Sequence, residues 1–289
     1  MFDQVEAFYR PATVPEALRL LQRGKGKARI VAGGTDVVVA GGNGVRVLID
    51  ITRAGLSYIR RKPGAFAIGA TTTMAEIEES EPLRKAAGGI LSRAAATCGS
   101  VSVRNLATLG GNMANASSAA DMATPLLVLE ASALIANSRG RRALPLADYL
   151  RCTSAGHLSN AILVEVAFPA PPGGKHCGWS FQKLGRTAVD ISLVSVAAGV
   201  QLDTKGRVKW ARIALGSVAP TAMRAVAAEQ CMVGRIADRA LIADAAAEIA
   251  SAVRPISDVR ASADYRREMS EVLGRRALEE CIIQAGDFL

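Results

Sequence analysis

The feature that most limits what this chain can fold into is a run of small polar residues in its middle. Residues 99–118 are rich in Gly, Asn, Ser and Thr, and such side chains do not build a core. The run contains no proline, carries Met113 and interspersed alanines, opens from a helical stretch and feeds another. It therefore reads as an ordered cradle of backbone and side-chain hydrogen-bond donors rather than as a flexible linker. Its centre is Thr108-Leu109-Gly110-Gly111-Asn112, and it continues through Asn115, Ser117 and Ser118 to Asp121. Asp121 either caps the following helix or accepts from a ribityl or ribose hydroxyl.

A second, shorter feature lies upstream. Arg29-Ile30-Val31-Ala32 reads as a short buried strand that runs straight into Gly33-Gly34-Thr35-Asp36. Paired glycines leave backbone N–H groups open to an anion, and a threonine hydroxyl adds a donor, so Ala32, Gly33, Gly34, Thr35 and Asp36 suit a diphosphate. The turn is no Walker A loop, because no Gly-Lys-Ser/Thr follows. Nor is it a dinucleotide fingerprint: after Gly42-Asn43-Gly44, Val47 stands where the third glycine would be. A paired-glycine turn by itself is also simply a turn. Two of them, far apart in the chain, are more informative, because a long cofactor with a diphosphate in its middle needs donors from two places.

The rest of the composition narrows the classes. The 289 residues are 50% hydrophobic but only 4% aromatic, so the core must rest on small side chains and close backbone approaches. That length accommodates about one to three domains. The formal charge of +9 is scattered over Lys25 and Lys27, Arg60-Arg61-Lys62, the 139–142 segment, Arg266-Arg267 and Arg275-Arg276. No basic stripe interleaved with aromatics results, which argues against nucleic acid and for solubility or an acidic partner. The five cysteines (Cys98, Cys152, Cys177, Cys231 and Cys281) never form CxxC, and His157 and His176 are isolated. The chain should thus hold no metal or iron–sulfur cluster of its own and no disulfide framework, and a reducing, cytoplasmic setting is expected. Residues 1–10 are unlike a secretory signal, and no stretch reaches the ~20 apolar residues of a membrane span.

Local patterning gives an α+β order. Thr13-Val14-Pro15-Glu16 is a capping box that opens a helix over residues 14–23. Strands are expected at 29–32, 45–51 and 66–69. A second capping box, Thr73-Met74-Ala75-Glu76, opens a short helix, and a longer one is expected over 83–97 with Gly88-Gly89 as its weak point. Beyond the polar run, 122–130 reads as helical and 134–136 and 162–168 as strands. Pro169, Pro171, Pro172, Gly173 and Gly174 form the clearest linker. Strands at 179–184, 193–202 and 208–216 have the spacing of an antiparallel meander. The final third is helical, with Tyr265, Met269, Val272 and Leu273 marking one apolar face.

The run Arg104-Asn105-Leu106-Ala107-Thr108-Leu109-Gly110-Gly111-Asn112, with its continuation to Asp121, resembles the signature of the FAD-binding subunits of the xanthine dehydrogenase and carbon monoxide dehydrogenase family of molybdenum hydroxylases. The turn at 32–36 sits where that family has its first FAD loop. Phe181-Gln182-Lys183, Arg186 and Asp190-Ile191-Ser192 resemble its F-x-K…R…D-I-S segment. Asp258-Val259-Arg260-Ala261-Ser262-Ala263-Asp264-Tyr265-Arg266 resembles its D-V-R-x-S-x-x-Y-R motif. The matches occur in order over nearly the whole chain.

The resemblance implies a two-lobed FAD-binding domain of the vanillyl-alcohol-oxidase type over 1–170, with lobes at about 1–55 and 56–170. A smaller α+β C-terminal domain would follow over 176–289. It implies that the turn at 32–36 wraps the diphosphate. Thr108, Gly110, Gly111, Asn112 and Asp121 would serve the diphosphate and sugar portions, Leu163 would touch the cofactor, and Lys183 would sit by the flavin ring. An ammonium there would raise the flavin potential by stabilising negative charge on the reduced ring. Some family members place an aromatic against the flavin at the position held here by Cys98.

In such complexes electrons pass from a molybdenum centre through 2Fe-2S clusters to FAD and on to an acceptor such as NAD, oxygen or a quinone. This chain would then carry no residue catalytic on substrate. It would need an iron–sulfur small subunit and a large subunit with the molybdopterin cofactor, and the expected substrate is a purine or another N-heterocycle. Two readings compete. One is a stand-alone flavin reductase of the same superfamily, like the one acting on UDP-N-acetylenolpyruvylglucosamine. The other is a basic interaction module without cofactor, whose affinity for polyanions would fall steeply with salt.

Overall fold

The computed structural model describes residues 2–172 and 176–286, so Gly173 and Gly174 of the expected linker lie outside the described residues. The first part of the chain runs β1 (Ala7–Tyr9), α1 (Val14–Arg23), β2 (Ala28–Val31), α2 (Val37–Ala40), β3 (Val47–Asp50), β4 (Ile59–Lys62), β5 (Ala65–Gly69), α3 (Met74–Glu79), α4 (Glu81–Lys85) and α5 (Ile90–Ala96). Next come α6 (Val101–Arg104), α7 (Leu109–Ala114), α8 (Ala123–Val128), β6 (Ser132–Asn137), β7 (Gly140–Pro145), α9 (Leu146–Ser154) and β8 (Ile162–Pro169). The chain ends with β9 (Cys177–Leu184), β10 (Val194–Leu202), β11 (Val208–Gly216), β12 (Met223–Arg224), α10 (Val226–Met232), α11 (Arg239–Ala252) and α12 (Ala263–Gly286). Two compact units result. One comprises Met1–Ile77, Ser100–Ala116 and Ala131–Pro169, the other Glu78–Gly99, Ser117–Glu130 and Ala170–Leu289.

The first unit holds two sheets. A three-stranded parallel sheet, β1-β3-β2, comes from residues 7–50, and a five-stranded antiparallel sheet, β4-β5-β8-β6-β7, from residues 59–169. Helix α1 contacts strands of both. It forms where the capping box places it: the Thr13 hydroxyl accepts from Glu16 N at 3.3 Å and the Glu16 carboxylate accepts from Ala12 N at 3.0 Å. Val14, Ala17 and Leu21 give it a buried stripe. The short strands β1, β4 and β7 escape the sequence pattern because they lie at sheet edges. β4 and β7 carry Arg60, Arg61 and Lys62, and Arg141 and Arg142. These basic clusters therefore sit on edge strands, where they discourage pairing with another sheet. The central strand β8 keeps Glu165 buried, with the Tyr58 hydroxyl donating to it at 2.8 Å. Burial and this bond push the Tyr58 phenol up to about 12.

The second unit is the expected meander, β12-β11-β10-β9, with β10 buried along nearly its whole length. Its core joins Val194, Val196, Val200, Ile213 and Leu215 to Leu241, Ile242 and Ile249 of α11 and Leu278 and Ile282 of α12. Small residues set its spacings. A Cβ on Gly178 would lie 1.8 Å from the Cys281 carbonyl oxygen, and one on Gly199 would lie 2.6 Å from the Trp179 ring. The buried face of α12 is Arg266, Ser270, Leu273, Gly274, Ala277, Leu278, Cys281, Ile282 and Ala285, while Tyr265 is exposed. That is one step round from the face expected from large side chains, because the helix packs closely through small residues. The expected long helix over 83–97 is two helices, α4 and α5. Gly88 and Gly89 both take left-handed backbone, at φ 59 and 71, so the weak point is a break. Helix α8 packs on β10 and β11, and all six of its residues are buried.

Two of the sequence motifs meet at one guanidinium in this unit. The Arg266 side chain is only 3% exposed; it donates to Leu193 O at 2.6 Å, Ser217 O at 3.3 Å and Asp258 Oδ1 at 2.8 Å. Ser217 in turn donates its hydroxyl to Ser192 O at 2.8 Å. The D-V-R-x-S-x-x-Y-R segment thus clasps the end of the D-I-S segment. Removing the guanidinium leaves two carbonyls and the part-exposed Asp258 without their donor, so Arg266→Met should lower the midpoint of urea unfolding. Asp258 is held far below the usual carboxylate range, chiefly by accepting from Arg260 N and also by the Arg260 and Arg266 side chains. A depressed folded pKa contributes stability above the ordinary value of about 3.9 that is lost as pH falls below it. Acid titration of stability should accordingly be shallower below about pH 4 in Asp258→Asn than in the parent.

Candidate functional site

In the first unit the structure brings the two glycine turns together. β2 ends at Val31, and half-buried Ala32 leads into the turn, where Gly34 takes φ +74. Gly33 has no room for a side chain: a Cβ would lie 1.7 Å from Leu106 O and 3.1 Å from Ala107 N. The backbone of the first turn therefore presses directly on the residues that precede Thr108. Among the described residues, the amides of Gly33, Gly34, Thr35 and Asp36 donate no hydrogen bond. A run of undonated amides across a glycine in left-handed backbone is a concave anion site. Asp36 precedes α2 without capping it, and partial burial pushes its carboxyl above the ordinary range.

The second turn is built differently. The polar run holds two short helices, α6 and α7, where no regular structure was expected. Thr108 caps α7, its hydroxyl accepting from Gly111 N at 3.1 Å. Leu109 N donates to Thr72 O at 2.9 Å, Gly110 N to Ala70 O at 2.8 Å, and Asn112 N to Thr108 O at 3.0 Å. The amides of this turn are thus consumed internally. Gly110 allows the approach to Ala70, since a Cβ there would lie 2.5 Å from its carbonyl oxygen. Gly111 is exposed, and a Cβ on it would meet nothing nearer than Thr108 Oγ1 at 3.0 Å. What the turn leaves available is a side-chain acceptor, the buried Oδ1 of Asn112, which has no partner. Leu163 lies on β8, buried and paired with Ile135 beside an irregularity in the ladder.

In the second unit, Asp121 and Lys183 form a buried ion pair. Lys183 Nζ donates to Asp121 Oδ2 at 2.7 Å and to Thr97 O at 2.8 Å, and the two side chains are 7% and 10% exposed. Asp121 does not cap α8, whose N-terminus has no side-chain cap. Burial pushes its carboxyl up, and Lys183 and the Cys98 thiol hold it down. Asp121 Oδ1 is buried without a conventional partner. Cys98 is itself buried, its sulfur 3.6 Å from Ala94 O, so it packs within the helix-end cluster. Thr97 was not foreseen: its contribution is a backbone carbonyl, which no residue pattern reveals. Phe181 is buried, Gln182 donates to Glu280 at 2.8 Å, and Arg186 pairs with Asp190 at 3.2 Å. No group of three or more His, Cys, Asp or Glu residues able to hold a metal occurs among the described residues, nor any helix long and apolar enough to cross a membrane.

In the first unit these features fit the diphosphate and a hydroxylated sugar of a dinucleotide: amides for the anion, an orphaned amide oxygen for a hydroxyl donor, and glycines where a side chain would close the cradle. Comparison with known proteins agrees. Residues 2–171 match the FAD binding domain in molybdopterin dehydrogenase, and residues 179–281 match the CO dehydrogenase flavoprotein C-terminal domain. The xanthine dehydrogenase FAD-binding subunit of Escherichia coli O157:H7 is 31% identical over 99% of each chain. The 6-hydroxypseudooxynicotine dehydrogenase complex subunit alpha of Paenarthrobacter nicotinovorans is 32% identical, over 98% of this chain and 95% of the other. Among solved structures, carbon monoxide dehydrogenase from Hydrogenophaga pseudoflava superposes with a TM-score of 0.90 at 28% identity, covering 98% of this chain and 99% of that one. The chain belongs to the family of FAD-binding subunits of molybdopterin dehydrogenases.

Proposed function

We propose that this chain is the electron-transferring subunit of a multi-subunit molybdenum hydroxylase, with a first domain over 1–170 that carries FAD and a second over 176–289. The observation that carries the reading is the run of undonated amides at Gly33, Gly34, Thr35 and Asp36. In this reading these amides hold the diphosphate, while Thr108, Gly110, Gly111 and Asn112 shape the opposite wall. Asn112 Oδ1 and Asp121 Oδ1 accept from sugar or ribityl hydroxyls, Leu163 packs against the cofactor, and Lys183 lies by the flavin ring. FAD, when bound, supplies a carrier that takes up and releases electrons. The protein's own share is to orient it, exclude water and set the charge around it.

The substrate centre is assigned to partners, an iron–sulfur small subunit and a molybdopterin-bearing large subunit, in the cytoplasm. A purine or another N-heterocycle is the substrate favoured here, on the likeness to the xanthine and 6-hydroxypseudooxynicotine dehydrogenase subunits, although other relatives are named for glyceraldehyde and carbon monoxide; the acceptor is NAD, oxygen or a quinone. The scattered cysteines support the assignment of clusters elsewhere, since two such clusters need eight ligands supplied in sets of about four.

The test is the visible spectrum and FAD affinity of the purified full chain. Gly111→Asp puts a carboxylate on the exposed face of the second turn, and FAD affinity should fall about tenfold or more, equivalent to about 1.4 kcal/mol. Gly33→Ala should lose FAD through displacement of the Leu106 carbonyl, with a circular dichroism spectrum as the control for folding. Retention of FAD by both variants overturns the placement of the cradle. The chain alone should reduce no acceptor with a purine as donor; purine-dependent reduction by the isolated subunit overturns the division of labour.

A further inference from the structure

One face of the meander in the second unit is lined by small residues. Lys183, Ser195 and Gly216 are direct partners across β9, β10 and β11, so their side-chain positions leave the sheet on the same side. Two residues along, Phe181, Ala197 and Ala214 form the next row on that face. Helix α8 packs on β10 and β11 and brings Thr124 to it. Three groups converge over Gly216. A Cβ built there would lie 2.5 Å from Ser195 Oγ, 3.1 Å from Ser118 O and 3.3 Å from Thr124 Cγ2. Ser195 and Thr124 are wholly buried, and the hydroxyl oxygens of both are without a hydrogen-bond partner in the chain. Ser118 O accepts from Ser217 N at 2.7 Å, which leaves it a second lone pair.

We propose that this point between α8 and the meander is a binding site for one ordered water, held by Thr124 Oγ1, Ser195 Oγ and Ser118 O. An unbonded hydroxyl in a core is destabilising, and alanine or valine in its place would avoid the cost. The ligand that justifies two of them must be small and must be able both to donate and to accept, as hydroxyls do. It must also be neutral. Two hydroxyls and a carbonyl do not compensate a buried ion, and the one charge in this row, Lys183, is already paired with Asp121 at 2.7 Å. Water meets each condition, and about three polar partners is the usual number for a buried one. It donates to Ser118 O and to one hydroxyl and accepts from the other. Gly216 supplies the room, since a side chain there would crowd Ser195 Oγ. The water fastens the segment that carries α8 to β10, beside the direct bond from Ser217 N to Ser118 O. All of its partners belong to the second unit, and the site requires no cofactor.

The experiment compares the thermal midpoints of four full-length proteins: the parent, Thr124→Val, Ser195→Ala and the double variant. Valine has nearly the shape of threonine, so the first substitution removes a hydroxyl and little packing. With a water in place, each single substitution takes away one of its bonds and should lower the midpoint by about 2–4 °C. The double variant should lose less than the sum of the two, because both hydroxyls hold the same molecule. If the hydroxyls are simply unbonded, removing them relieves a desolvation cost, and midpoints that rise or stay unchanged overturn the proposal. Losses that add without coupling overturn the sharing of one water. A crystal structure of the full chain that shows ordered solvent gives a readout free of any folding defect. A water within hydrogen-bond distance of both Thr124 Oγ1 and Ser195 Oγ is expected. The two hydroxyls bonded to protein oxygens, with no water between them, overturn the site.

Discussion

The first unit depends on one close approach, the backbone of Gly33 against the carbonyl of Leu106. It joins the turn after β2 to the segment that leads into α7, two stretches far apart in sequence and on different sheets' connections. Any side chain at Gly33 would hold them apart. The hydrogen bonds around the second turn work to the same end. Leu109, Gly110 and Asn112 spend their amides on neighbouring backbone, which makes that turn a rigid wall. The first turn is then free to present its amides outward. The two glycine pairs look alike in the sequence, but one is a donor surface and the other a support.

The second unit solves a different problem, that of placing charge inside a core of small side chains. It does so by surrounding each buried cation with fixed acceptors. Arg266 is met by two carbonyls and a carboxylate, and Lys183 by one of each. Backbone carbonyls are held by the fold, so these cations are positioned more firmly than an ion pair between two flexible side chains would be. The arginine ties loops together, whereas the lysine ties a strand end to a helix end.

Much of this was legible in the sequence. Helix α1 and the meander strands could be read because Thr13-Val14-Pro15-Glu16 and the apolar runs of β10 and β11 carry their signals locally. The two turns could be read because paired glycines in a polar setting are unusual chemistry. Strands β1, β4 and β7 could not, because edge strands need not alternate and theirs are short or basic. The buried face of α12 was displaced for a related reason: a helix that packs through Ser270, Gly274 and Ala277 gives its inward side no bulk to recognise. The partner of Lys183 was out of reach, since Asp121 is named by the motif but Thr97 enters only through its carbonyl. Likewise nothing in the residue types distinguished a turn whose amides are open from one whose amides are spent.

Strand β8 is the last of the five-stranded sheet to be made, yet it lies at its centre, between β5 and β6. During synthesis the hairpins β4–β5 and β6–β7 must therefore wait, with the β5 and β6 edges unpaired, until residues 162–169 emerge. A sheet completed by insertion of its middle strand has high contact order, and such topologies form late and leave unpaired edges exposed meanwhile. The newborn chain is consequently at its most aggregation-prone just before β8 leaves the ribosome, and a product terminated before residue 162 would hold two unjoined hairpins instead of a sheet.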